Sequence, residues 1–231
     1  MVAGEEAGRL YRESAQGIHD ELAAQGVVIA DLYRTEVTPQ NRDVFVPILM
    51  RWLPRVKYEL TAERIAHLLA QPFLEEEVLP VLVSMLRAGP QGYFLASGAV
   101  SDRSPDQWMA EALGSAISRF ASRRTAPLML ELAQDRSLGS ARFAIVVRLS
   151  KTRDPSVLNV LLDLVDDPEM TTFAINALGR LRREEALAVL ESRLDDPDEV
   201  VRQESRQAVR LIRRAAERRA QRAATSLAEG S

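Results

Sequence analysis

The most restrictive feature of the chain is a phrase said twice between Asp166 and Ile212. Asp166-Asp167-Pro168 leads through Met170 to Ala177-Leu178-Gly179-Arg180-Leu181. Asp195-Asp196-Pro197 leads through Val201 to Ala208-Val209-Arg210-Leu211-Ile212. The two prolines are 29 residues apart and the two alanines 31. Self-similarity near 30 residues predicts stacked supersecondary units, each unable to bury its apolar face alone. Within a copy, Asp-Pro supplies a turn and a helix start, because Pro fixes φ and Asp accepts from free N–H groups. Phe173, Ala174, Ala177, Leu178 and Leu181 then recur at helical spacing, with Gly179 and Arg180, Arg182 and Arg183 as the stop. A second helix is expected through Leu187, Val189, Leu190 and Leu194.

The period reaches further upstream. Leu113, Phe143 and Phe173 are separated by 30 residues each time. Residues 108–216 therefore read as well-phrased repeats, and residues 5–87 as divergent helices. Those helices are expected over 5–24, a short piece over 27–33, then from Thr38-Pro39, from Thr61, and from Glu75. Residues 88–107 read as an irregular connection, rich in Gly, Pro and Ser. Its expected forms are a short packed helix or a ligand-gripping loop built on Tyr93 and Phe94. Residues 217–231 read as a basic, frayed tail. The whole chain, 1–231, is expected to form one array.

Composition agrees with an all-α array. Hydrophobic residues make up 46% and aromatics only 5%, which suits Ala, Leu and Val packing better than a sandwich or barrel. A net charge of −3 argues against a generally basic surface for nucleic acid. The absence of Cys excludes disulfides, thiolate metal sites and thiol nucleophiles. No apolar run reaches the roughly 20 residues that span a bilayer, and the first residues lack the form of a signal peptide. Cytoplasmic residence is the resulting expectation. His19 and His67 lack metal-ligand spacing, and no nucleophile elbow or phosphate loop is present. Neither a metal, a cofactor nor a catalytic residue is expected.

The phrases DDPEM, FAINALGRL, EEALAVLESRL and DDPDEVVRQESRQAVRLI resemble HEAT repeats, in particular the short bacterial type similar to PBS-lyase repeats. The resemblance implies a right-handed α-solenoid of about six helix pairs, second helices on the concave side. It implies protein binding as the usual role and carries no catalytic residue, because the motif positions are packing and capping positions. On this template Glu131, Asn159, Asp163 and Glu191 read either as an acidic concave strip or as a solvated helix face. The opposing feature is a stripe of Arg202, Arg206, Arg210 and Arg213, within an arc of roughly 80° on one helix. It reads either as the polar outer face of a terminal repeat or as an anion-binding site.

The expected function is a non-catalytic scaffold or adaptor holding a protein partner, as a monomer or weak homo-oligomer. The alternatives are a nucleic-acid-binding protein or a HEAT-like DNA glycosylase, for which Trp108 with a nearby acid is the candidate site, and a tetrapyrrole lyase or chaperone, which only the repeat subtype suggests.

Overall fold

The computed structural model describes residues 2–96 and 103–229. Its described residues hold eleven α-helices, several short 3-10 turns and no strand. The chain divides into two compact units, residues 1–120 and 121–231.

The first unit contains α1 (Val2–Ala24), α2 (Arg42–Trp52), α3 (Glu59–Leu69), α4 (Glu75–Ala88) and α5 (Pro105–Ser118). Ile18 and Leu22 of α1, Leu49 of α2, Ile65 and Leu69 of α3 and Leu82 of α4 are fully buried. Gly17 lets the Trp52 ring cross α1, for a Cβ there would lie 2.2 Å from that ring. The ring is held in place by a hydrogen bond from Trp52 Nε1 to Glu21 Oε1 at 3.1 Å. Ser104 caps α5 by accepting from the Gln107 N–H, with Pro105 in the first turn.

Two expectations for this unit are corrected. Residues 27–33 form no helix. Gly26 turns the chain at a φ of 76°, and the backbone that follows is satisfied by side chains from elsewhere. Tyr11 Oη accepts from the Leu32 N–H at 3.1 Å. Arg64 donates to the carbonyls of Leu32, Tyr33 and Thr35 at 2.8, 3.1 and 2.7 Å. A loop whose polar groups have such partners gains nothing by coiling. Helix α3 also begins earlier than Thr61, because the Glu59 N–H donates to the Phe94 carbonyl and fixes the first turn.

The second unit contains α6 (Ala126–Gln134), α7 (Phe143–Arg148), α8 (Val157–Leu164), α9 (Thr171–Leu181), α10 (Leu187–Ser192) and α11 (Glu199–Glu229). The 30-residue period is visible as contact. Phe143 and Phe173 stack with centroids 4.2 Å apart and planes 12° from parallel. Helix α9 packs along α11, and Gly179 marks a close approach: a Cβ there would sit 2.9 Å from both Cα and Cβ of Ala208. Gly179 therefore does not stop α9, as the sequence suggested. The helix runs on to Leu181, and Arg182 takes the left-handed cap at a φ of 54°. Arg219 of α11 donates to the Arg182 carbonyl at 2.8 Å and stabilises that turn. The basic tail expected from 217 is the continuation of α11 as far as Glu229, while residues 230–231 lie outside the described residues.

A buried ionic knot joins these repeats. Arg142 has no exposed surface. Its Nη1 donates to Asp167 Oδ2 at 2.9 Å and its Nη2 to Glu169 Oε2 at 2.9 Å. Its Nε donates to the Gly139 carbonyl at 3.1 Å. Asp167 belongs to the repeated Asp-Asp-Pro phrase, and its Oδ1 also accepts from the Glu169 N–H at 3.1 Å. Burial pushes the Asp167 carboxyl up, but the Arg142 and Glu169 hydrogen bonds outweigh it and hold the group below its ordinary value.

Candidate functional site

Each surface singled out in the sequence acquires a definite environment. Glu131 lies exposed on α6, Asn159 and Asp163 lie exposed on α8, and Glu191 is half-buried on α10. All four thus fall on helices of the second unit. Glu191 accepts from Arg213 Nη2 at 2.7 Å, so one end of the acidic strip is tied to the arginine stripe. Asn159 and Asp163, one turn apart on α8, are its open part. Two positions separated by four residues share a helix face.

The arginine stripe divides in the same way. Arg213 holds Glu191. Arg202 pairs with Glu199 and donates to the carbonyls of Asp196 and Pro197 at 2.6 and 3.0 Å, closing the turn that leads into α11. These two are positioning residues of the fold. Arg206 and Arg210 are exposed, and neither belongs to an ion pair among the described residues. The sequence pattern grouped the four arginines by angle alone. The turn carbonyls and Glu191 that engage two of them lie outside the helix and outside that pattern.

Tyr93 and Phe94 are committed to the first unit. The Tyr93 N–H donates to Asp106 Oδ1 at 2.7 Å. Lys57 Nζ lies 4.4 Å above the Tyr93 ring, and the Tyr93 side chain is buried. The Phe94 N–H donates to the Lys57 carbonyl, giving an isolated parallel bridge between Tyr58 and Phe94. The Tyr58 and Phe94 rings meet at 5.6 Å. The segment is an extended clamp rather than a packed helix; the Tyr93 ring is buried, while the Phe94 ring meets Tyr58 and stays 43% exposed. Residues 97–102 of the same connection lie outside the described residues.

The first unit also carries a cleft of about 520 Å3 that the sequence did not reveal, lined among others by Thr35, Glu36, Arg64, His67, Gln71 and Arg119. Its cations serve the backbone: Arg64 holds three loop carbonyls, and Arg119 Nε donates to the Ala70 carbonyl at 2.8 Å at the end of α3. His67 approaches Glu63 at 3.7 Å and Ser115 Oγ at 3.4 Å. Burial holds its pKa below the usual histidine value against the opposing pull of Glu63. No cluster of three or more His, Cys, Asp or Glu able to hold a metal occurs among the described residues. Beside Trp108, Asp106 accepts from the Tyr93 N–H and Glu111 pairs with Arg103. Both acids near that tryptophan are therefore engaged.

One further buried acid had no signal in the sequence. Glu59 has no exposed surface, and neither carboxylate oxygen has a hydrogen-bond partner. Burial raises its pKa to about 7, with help from the charge of Glu63 one turn on. A folded pKa above the unfolded value means that the native state binds the extra proton. This contribution to stability is fully present below about pH 4.5 and is lost as pH rises through about 7. Glu59→Gln keeps the shape and removes the charge. The urea midpoint of the variant is expected to exceed that of the parent at pH 8 and to match it closely at pH 4.5. Equal midpoints at pH 8 would contradict the burial of this carboxyl.

Residues 166–210 match the family described as HEAT repeats. Over that stretch the chain is similar to that family. The stretch covers α9, α10 and the first part of α11, the region where the repeated phrase is clearest and where Gly179 seats Ala208. No curated protein and no solved structure matches the chain. No helix among the described residues is long and apolar enough to cross a membrane.

Proposed function

We propose that the chain is a non-catalytic scaffold that holds a protein partner on a HEAT-repeat surface, a right-handed α-solenoid of about six pairs of the short bacterial, PBS-lyase-like type. HEAT repeats are commonly protein-interaction scaffolds, and the match over 166–210 is the observation that carries the reading. Helical arrays offer extended surface by stacking, and their motif residues serve packing. The acceptor site is the exposed acidic face of the second helices, Glu131 on α6 with Asn159 and Asp163 on α8. Its chemistry selects a partner segment that presents Lys or Arg. Such complementary charge raises association rate and selects among partners more than it adds raw affinity.

Co-purification from the native host tests this. The parent chain is expected to retain a protein partner, and the Glu131→Lys/Asp163→Lys variant is expected to lose at least about tenfold in its association rate at low salt. Retention of the partner by the variant with an unchanged rate would remove the acidic face from the account. Turnover of a substrate by the purified chain, with no partner retained, would reject the scaffold.

A further inference from the structure

The outer face of α11 carries a row of arginines that form no ion pair among the described residues. Between Arg206 and Arg222 the sequence holds seven arginines and one acid, Glu217. Arg213 and Arg219 are engaged, by Glu191 and by the Arg182 carbonyl. Of the other five, Arg222 lies furthest along the helix, and Arg206, Arg210, Arg214 and Arg218 form the row. All four are exposed, and none of them makes an ion pair among the described residues. They stand four residues apart. Each step is therefore about 6 Å along the axis, and the row is about 18 Å long, winding by roughly 40° a step around the outer face.

Two physical facts set this row apart. First, like charges at i and i+4 repel and destabilise a helix, yet the row repeats that spacing three times. Other arginines stand singly or meet an acid, as Arg9 does with Glu13 and Arg183 with Glu185, and no series of four at this spacing occurs elsewhere in the chain. Second, the row has no apolar or aromatic anchor. Protein interfaces depend on buried aromatic and aliphatic side chains at their centre, and helices that lie on membranes present Trp, Phe or Leu beside their cations. From Arg206 to Arg222 there is no aromatic residue, and its largest apolar side chains, Leu211 and Ile212, are half-buried and buried. Arginine alone, regularly spaced on a rigid rod, suits a regularly spaced array of phosphates.

We propose that Arg206, Arg210, Arg214 and Arg218 form a phosphate-backbone contact for double-stranded nucleic acid. A duplex carries a charge every ~1.7 Å of axis, so roughly ten phosphates lie along an 18 Å row. The guanidinium is the side chain best matched to a phosphate. The contact reads no bases, since nothing on this face stacks on a base, and its affinity is independent of sequence. The site is on α11, apart from the acidic face proposed for the protein partner, and it stands or falls separately from that reading. The chain's net charge of −3 opposes wide coating by nucleic acid and confines binding to this helix.

The test uses the full chain and a duplex of about 20 base pairs, titrated between 50 and 200 mM salt. Four phosphate contacts give a slope of about −3.6 in log K against log salt, a loss of roughly 150-fold over that range. The quadruple variant Arg206→Gln/Arg210→Gln/Arg214→Gln/Arg218→Gln is expected to lose binding with its helicity unchanged. The corresponding quadruple Lys variant is expected to keep the salt slope. Absence of duplex binding at 50 mM salt overturns the proposal, as does unchanged binding by the Gln variant. So does equal or tighter binding of polyglutamate or of phosphatidylserine vesicles, which would assign the row to an acidic protein or a lipid surface.

Discussion

Arg142→Met is expected to destabilise the second unit by about 3–5 kcal/mol, the cost of breaking a buried ion pair by removing one partner. The guanidinium is fully enclosed and bonds Asp167, Glu169 and the Gly139 carbonyl. Its loss leaves the Asp167 carboxylate buried, with Arg136 at 3.5 Å as the remaining cation. Native-state amide exchange in α7 and α9 is the direct readout. Amides that exchange through opening of this unit are expected to speed up by roughly 100-fold or more, since each 1.4 kcal/mol is a factor of ten. The double variant Arg142→Met/Asp167→Leu is expected to regain much of the loss, because an apolar pair of similar volume removes the desolvation cost of both charges. It does not regain all of it, for Asp167 also accepts from the Glu169 N–H.

The pH dependence follows from the same contact. Asp167 has a folded pKa below its ordinary 3.8, so its contribution is present above pH 3.8 and is lost as pH falls through the folded value. Acid should therefore narrow the gap between the parent and Arg142→Met. A gap that stays constant from pH 6 to pH 3 would show that the carboxylate is not what the guanidinium holds.

Gly179→Val is the second large effect. A Cβ at this position lies 2.9 Å from Ala208 Cα and Cβ. Those atoms belong to a backbone and its shortest side chain, so neither can swing aside. Helix α11 would have to move off α9 as a body. Overpacking of this kind costs about 1–3 kcal/mol, and the branched side chain belongs at the upper end. Replacing a helical glycine gains at most about 1 kcal/mol from propensity, so the clash wins. The expected result is a urea midpoint lower than the parent's. The compensating change Ala208→Gly, which removes one of the two contacts, should recover part of it. A midpoint at or above the parent's would mean that α9 and α11 do not approach so closely.

These two residues show what the sequence reveals and where it stops. The 30-residue period was legible because it repeats apolar positions, and it reappears as the Phe143–Phe173 stack. The all-helical character and the placement of Glu131, Asn159, Asp163 and Glu191 on helices follow from the same periodicity. Gly179 was read as a stop signal, since a glycine near a helix end has that use more often than close packing. The identity of its neighbour, Ala208, is a tertiary fact. Arg142 was not singled out in the sequence, because its partners lie 25 and 27 residues on. The loop at 27–33 looked helical by its apolar content, whereas Arg64 and Tyr11, remote in sequence, supply its hydrogen bonds. The arginine stripe was located on the right helix, but pairing by Glu191 and by turn carbonyls moved its open part toward Arg214 and Arg218.

The central claim is that stacked helix pairs recognise a partner through the exposed face of their second helices. The chain has no cysteine, so a single one placed on that face reports without ambiguity. A photo-crosslinker on Asn159→Cys of α8 is compared, in nuclease-treated extract of the native host, with one on Arg148→Cys, exposed on α7. The account predicts one protein crosslinked from position 159, displaced by excess Lys- and Arg-rich peptide, and little from position 148. Equal capture from both positions, or capture from 148 alone, would contradict it.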